Sequence, residues 1–469
     1  MRELPRLPYQ IQKKANQNIM LMGINLTDNY TMGELSDSYH MTADRYPYMA
    51  MKPHLNHCVN TAEVGSIFDV VHFNRLYVVL SDGYIYADLS EVAAGDRPTG
   101  TYKGDWYRCG YIGRETQQQY AAIHNRIIIW PAKKILNTET FALTDMSTDH
   151  GLPDFEYICS AQNRLWGVAN NEIFGSKQGE PDVFDGQMGY ASSPFAAAVA
   201  SEGKFTGCIS FGTSVMFFKE DRVYKLLGET ALNYEYIEYI VDGVKDGCHK
   251  SLQVINDTLY FMSRKGVMRY NGSYNSQIGL ALGDFDYTEA VGGYDGFHYI
   301  ISMKQNGAGK TYYYDLRKGI WLKDEDTYCK RFAYFGSHFY RLEGARLYTD
   351  DETQQEYTPE GWNDWSMTFN PFYETVSGRY NSSSVLFSYK KHGRIVMRVE
   401  LGDKSTLKVE HKIDDQRWEE VARLTKKPRG VRIIALPITR DDVYQMRISG
   451  TGECAILGIV REFKEGSER

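Results

Sequence analysis

Apolar and polar positions alternate in short bursts along most of this chain, and the bursts come in pairs. Leu76-Tyr77 is followed by Asp82-Gly83 and Ile85-Tyr86, and Leu165-Trp166 by Asn170-Asn171 and Ile173-Phe174. Val215-Met216 leads to Glu220-Asp221 and Val223-Tyr224, Leu259-Tyr260 to Lys265-Gly266 and Val267-Met268, and Phe339-Tyr340 to Glu343-Gly344 and Leu347-Tyr348. Each reads as a strand, a tight turn and a second strand. Looser copies lie at Ile127-Ile128 and Phe297-His298. The anchors Leu76, Ile127, Leu165, Val215, Leu259, Phe297 and Phe339 are 51, 38, 50, 44, 38 and 42 residues apart. Such units cannot bury their apolar faces alone, so the stretch must close into one body. The expectation is a degenerate β-propeller of six or seven blades over residues 61–376.

The residues ahead of each anchor support that reading. Asn74-Arg75, Asn125-Arg126, Asn163-Arg164, Gly212-Thr213, Asn256-Asp257, Asp295-Gly296 and Gly336-Ser337 are turn pairs. Asn, Asp and Gly tolerate the positive φ that two-residue hairpins require. Residues 1–60 do not fit the repeat. Pro47 and Pro53 cannot donate to a ladder, so this piece is expected to be an arm plus one strand that closes the ring.

A hinge is expected over Trp362 to Asn381, and beyond it the alternation changes style. Ile395, Met397, Val399 and Leu401 form one apolar face, and Leu407, Val409 and His411 another. Val431, Ile433 and Ala435, then Tyr444, Met446 and Ile448, then Ala455, Leu457 and Ile459 follow. Seven or eight strands with one wet face each describe a jelly-roll-like β-sandwich over 377–469. No long helix is expected, so the fold class is all-β.

Composition sharpens this picture. The chain has 469 residues, 42 glycines, 36 tyrosines and only 13 prolines, which suits many short strands joined by tight turns. The formal charge of −7 is unevenly spread. From Ser377 onward there are 19 Lys and Arg against 13 Asp and Glu, leaving 34 against 47 in the remainder. A basic C-terminal module beside an acidic body suggests charge-complementary assembly. Seven cysteines, odd in number and without CxxC spacing, read as reduced thiols in a protein made in the cytoplasm. The first residues carry Arg2, Glu3, Arg6 and two prolines rather than the apolar core of an export signal. No apolar run approaches the ~18 residues of a membrane span.

Catalytic signatures are absent: no HExxH, GxSxG or GxxxxGK[ST] occurs. Cys248 and His249 are adjacent, and read as strand neighbours they would point to opposite faces. Asp182 with Asp185, Asp284 with Asp286, and Asp414 with Asp415 read as solvated turn acids. Arg423, Lys426, Lys427, Arg429 and Arg432 read as a solvated basic turn. The sequence therefore singles out no catalytic, metal-ligating or cofactor-binding residue, and no cofactor is expected.

Three passages resemble the β-propeller tail proteins of tailed bacteriophages, those of the hub or nozzle that include packaged-DNA stabilisation proteins. The first runs Gly23-Ile24-Asn25-Leu26-Thr27-Asp28-Asn29 through Leu35-Ser36-Asp37-Ser38 to Arg45-Tyr46-Pro47-Tyr48. The second is Gln162-Asn163-Arg164-Leu165-Trp166-Gly167 with Ile173-Phe174-Gly175-Ser176 and Gly179-Glu180-Pro181. The third is the C-terminal module ending in Gly450-Thr451-Gly452-Glu453 and Glu465-Gly466-Ser467. The resemblance implies a non-enzymatic virion component. Its subunits would form a ring, commonly six-fold, against a portal, adaptor or other tail protein, with DNA passing through the lumen unread. An acidic body suits a conduit that must not grip a polyanion. Tyr30, Arg45, Tyr46 and Pro47 are the assembly contacts this reading would use. The rival expectation is a carbohydrate-binding or glycoside-cleaving propeller with a carbohydrate-binding sandwich, which needs paired carboxylates in an axial pocket. A surface adhesion propeller is a third reading, weakened by the missing export signal.

Overall fold

The computed structural model describes residues 14–52, 57–60, 63–114, 118–273, 275–350, 355–356, 364–372, 388–413, 416–425, 429–435, 440–441 and 443–468. The protein is all-β. Among the described residues, 67–356 form seven small antiparallel sheets, each of four or five strands. In the second to sixth sheets the strands pair in sequence order; in the third, for example, these are Tyr157–Ala161, Arg164–Ala169, Glu172–Gly175 and Phe195–Ala198.

The second strand of each sheet carries the repeat. Six of the seven anchors fall in the strands Leu76–Leu80, Arg126–Trp130, Arg164–Ala169, Ser214–Phe218, Thr258–Ser263 and His338–Glu343. Phe297 is the exception. It sits one residue ahead of His298–Gln305 and is 60% exposed, so His298 is the first inward position there. The turn chemistry holds at five of the seven pairs, where Asn163, Gly212, Asn256, Asp257, Gly296, Gly336 and Ser337 have positive φ; Asn74-Arg75 and Asn125-Arg126 have none. Apolar second strands are buried on both sides because each sheet packs against the next; Leu76–Leu80 and Ser214–Phe218 are buried throughout.

First strands face a common centre. Val70, Tyr120, Tyr157, Cys208, Gln253, Gly292 and Arg331, one from each sheet, line a single cavity of about 250 Å³. Cys329–Phe335 of the last sheet lies against Ile67–His72 of the first, which brings the array back on itself. The last sheet also takes in His57–Cys58, which pairs with Arg346–Thr349 and Gln355–Glu356. A Cβ on Gly292 would come within 2.6 Å of the Ser251 carbonyl oxygen, so glycine lets the sixth sheet approach the fifth there.

Two larger sheets complete the molecule. In one, Ser388–Leu401 lies between Arg429–Ala435 and Cys454–Glu468, and Lys14–Ile19 and Met49–Met51 extend it from the N-terminal side. In the other, the order is Leu35–Tyr39, Asp364–Phe369, Tyr444–Thr451, Thr406–Ile413, Glu419–Thr425. Ile395, Met397 and Ile459 from the first, and Trp365, Val409 and Met446 from the second, belong to one buried cluster. The divisions expected after residues 60 and 376 fall at 61–62 and 373–387, outside the described residues. Asp364–Phe369, expected as propeller and hinge, is instead a strand of the second large sheet because it pairs with Tyr444–Thr451. Pro53, Asp414 and Asp415, and Lys426 to Pro428 are also outside the described residues.

Candidate functional site

The axial cavity is where the seven sheets converge, and its chemistry is cationic. Arg331 grips Asp69 with two nitrogens at 3.0 and 3.1 Å and donates to the Gln118 carbonyl at 2.8 Å. The Tyr120 hydroxyl adds a third bond to Asp69 at 3.1 Å. Asp69 is fully buried, and this pairing is what makes a buried carboxylate tolerable. Burial, and then the Arg331 charge, push the neighbouring Lys250 ammonium down to about 8. Burial, then Lys250 and Arg331, push His249 down to about 3, so its ring is neutral at pH 7.

Among the described residues no carboxylate lines this cavity. A glycoside-cleaving centre needs an acid and a base or nucleophile set about 5 to 9.5 Å apart. The nearest candidate, Asp69, already spends both oxygens on Arg331 and Tyr120. The arrangement can hold an anion, but it offers no acid–base pair.

Cys248 and His249 are not strand neighbours as expected. They open a short 3-10 turn, His249–Ser251, which splits them differently: His249 faces the cavity, while the fully buried Cys248 sulfur accepts the Ala290 N–H at 3.5 Å. The acidic pairs are dispersed. Asp182 accepts the Ser147 N–H at 3.2 Å, Asp185 lies 3.5 Å from His150, and Asp286 lies 3.1 Å from Lys245. All seven cysteines are unpaired, and six are buried.

The expected assembly residues divide between two loops. Asp44 to Tyr48 form an exposed turn, within which Arg45 meets Glu400 at 3.1 Å and Tyr46 is 42% exposed beside exposed Pro47. Tyr30 lies on a separate loop ahead of Leu35–Tyr39 and is half-buried. Behind the turn, Asp44, His298 and Asp315 bring one donor atom each within 4.8 Å of one another. Neither this cluster nor Lys250 with Arg331 stands out in the sequence. Their members come from distant segments, and only the looser repeat copy at Phe297-His298 and its turn pair, Asp295-Gly296, mark the neighbourhood of His298.

Two edge strands expose apolar rows. Glu235–Tyr239 ends the fourth sheet, with Ile237 at 42%, Tyr239 at 42% and the following Ile240 at 77% exposed. Arg429–Ala435 ends the other, with Val431 at 56% and Ile433 at 63%. No helix among the described residues is long and apolar enough to cross a membrane.

No family model matches the chain, and no curated protein matches it. Solved structures do match. The extracellular domain of a hybrid two component system from B. thetaiotaomicron is 10% identical with a TM-score of 0.40, over 90% of this chain and 64% of that one. The chain thus spans under two thirds of that structure. Dihydro-heme d1 dehydrogenase NirN is 9% identical with a TM-score of 0.39, over 80% of this chain and 76% of that one. The Dos1 propeller is 10% identical with a TM-score of 0.35, over 73% of this chain and 96% of that one. With TM-scores below 0.5, none of these likenesses assigns an activity here.

Proposed function

We propose that the chain is a non-enzymatic building block: a seven-bladed propeller joined to a β-sandwich, assembling head to tail into a ring in the tail or neck of a tailed bacteriophage. The observation that carries the assembly is the pair of sheet edges that, among the described residues, have no further strand on their outer side. A free strand edge with exposed apolar side chains is a template for another chain, and monomeric proteins usually blunt such edges. The two edges differ in place: Glu235–Tyr239 closes a small sheet, whereas Arg429–Ala435 closes a large one. Two different patches that fit each other generate a ring when the rotation closes.

The phage assignment rests on the sequence passages that resemble tail hub and nozzle proteins, and the acidic body suits a conduit for DNA. Synthesis in the host cytoplasm, a six-fold ring, a portal or adaptor neighbour and a place in the virion belong to the same proposal. The turn with Arg45, Tyr46 and Pro47, and the loop with Tyr30, would meet an adjoining ring. The cationic axial cavity, lacking paired carboxylates, gives the glycoside-cleaving alternative no support.

Native mass measurement tests the ring. The wild-type chain is expected as a closed oligomer. Ile237→Lys and Ile433→Lys, each placing a charge on an exposed edge, are expected as folded monomers. Wild-type protein that stays monomeric at high concentration would remove the proposal, and turnover in a glycan hydrolysis screen would replace it with the rival.

A further inference from the structure

His298 opens the second strand of the sixth sheet and is only 6% exposed. Its Nδ1 lies 2.9 Å from Asp295 Oδ2. The other oxygen of Asp295 accepts the backbone N–H groups of Phe297 at 2.9 Å and His298 at 2.7 Å, so this carboxylate cannot swing away. With Nδ1–H serving this bond, a neutral ring carries its lone pair on Nε2. A carboxylate behind an imidazole in this way orients histidines that ligate metals.

Nε2 is buried and has no hydrogen-bond partner. It faces two carboxylate oxygens, Asp44 Oδ1 at 3.9 Å and Asp315 Oδ2 at 3.8 Å. Both lie beyond hydrogen-bonding distance, yet all three donor atoms fall within 4.8 Å of one another. Asp44 is held from behind, its Oδ2 accepting the Thr42 hydroxyl at 2.7 Å. Asp315 is fully buried, and its Oδ1 accepts the N–H groups of Arg317 and Lys318 at 2.9 and 3.0 Å.

We infer that this gap is a binding site for a divalent first-row transition ion such as Zn²⁺, with His298 Nε2, Asp44 Oδ1 and Asp315 Oδ2 as protein ligands. One imidazole and two carboxylates suit such ions, whereas calcium takes six to eight oxygens. Ligand bonds of about 2.0–2.2 Å in a tetrahedron place donors about 3.4 Å apart, so the distances from Nε2 to the two carboxylates must each contract by roughly half an ångström. Asp44, 52% exposed on its turn, can supply that movement.

Cations already nearby do not fill the gap. Lys318 Nζ lies 2.9 Å from Asp315 Oδ2 and donates to the Ala43 carbonyl, and Arg317 reaches only to 3.8 Å from Asp44. With Asp295 included, three carboxylates face the Lys318 ammonium, the largely exposed Arg317 guanidinium and, near Asp295, the Lys52 ammonium, which is itself 3.0 Å from Asp324. Binding would pin the 44–48 turn onto the sixth sheet. The inference is independent of the ring, since the site lies within one chain.

The test uses the full chain, stripped with EDTA and titrated with Zn²⁺ by calorimetry and with Co²⁺ by visible spectroscopy. One equivalent is expected to bind, giving a Co²⁺ spectrum of nitrogen and oxygen ligands without a thiolate charge-transfer band. His298→Ala should abolish uptake, and Asp295→Asn should weaken it about 10- to 100-fold. Asp44→Asn, on an exposed turn that should leave folding intact, should remove the Zn²⁺-dependent rise in melting temperature. No uptake by the stripped wild type, a thiolate band, or unchanged uptake by Asp44→Asn would each overturn the inference.

Discussion

The seven small sheets and the two large ones use the same alternating strands but close in opposite ways. Each small sheet is mostly built from neighbouring hairpins, so its register is set locally by turns such as Asn163 and Asn256-Asp257. The large sheets take strands from both ends of the chain: Leu35–Tyr39 pairs with Asp364–Phe369, more than 300 residues away. Local pairing costs little loop-closure entropy, while distant pairing is reached only after the intervening chain is in place. The difference teaches that the N-terminal segment is a structural part of the C-terminal body, which it also ties to the sixth small sheet, Ile24 donating its N–H to the Trp321 carbonyl at 2.7 Å.

Removing residues 1–42 is the harshest way to break the comparison. It strips Lys14–Ile19, Leu35–Tyr39 and Met41–Thr42 from the large sheets and uncovers the Trp365 region. Hydrogen exchange is expected to show the large sheets losing protection while most of 67–322 keeps it. Equal loss in both bodies would mean that they fold as one unit.

Next in size is the seam between the bodies. Arg341 of the seventh sheet reaches Asp324 at 3.3 Å, Glu325 at 3.0 Å and Glu343 at 2.5 Å. His40 from the N-terminal segment meets the same Glu325 at 2.8 Å, and Lys52 meets Asp324 at 3.0 Å. Burial alone would raise the Glu325 carboxyl, but the His40 and Arg341 contacts hold it well below the usual carboxylate range. Arg341→Met leaves these acids without their central cation, and a loss of about 3–5 kcal/mol is expected in urea unfolding. A loss under about 1 kcal/mol would show that the seam is wet rather than buried.

The mildest test concerns the axis. Lys250 titrates near 8 in the folded chain against 10.5 when exposed, so the unfolded chain holds more protons between those values. Its contribution to stability therefore rises with pH across that window. Lys250→Met should be the more stable protein at pH 7, by on the order of 1–3 kcal/mol, with the advantage fading toward pH 10.5. The difference between the two unfolding curves isolates this residue from the buried thiols and tyrosines. A difference that does not change with pH would place Lys250 in water.

The repeat was legible because its signals are local. Paired apolar runs and Asn, Asp or Gly turns located six of seven second strands, and the alternation after residue 394 located the long strands. Phe297 misled because an aromatic residue beside a turn satisfies the pattern whether it faces the core or solvent. The candidate sites were not legible. Lys250 and Arg331, or Asp44 and His298, meet only when separate segments are packed, and no spacing rule connects them.

The order of residues alone thus determined that the chain is all-β, where its hairpins turn, and that its basic and acidic residues are segregated. Those properties depend on φ preferences, two-residue periodicity and composition, all of which act over a few neighbours. Tertiary structure decided that first strands converge on a cationic cavity, that the N-terminal strands complete the C-terminal sheets, and that an imidazole faces two carboxylates across a gap. These depend on which distant surfaces come into contact, and burial then sets the charge and reach of the groups caught there.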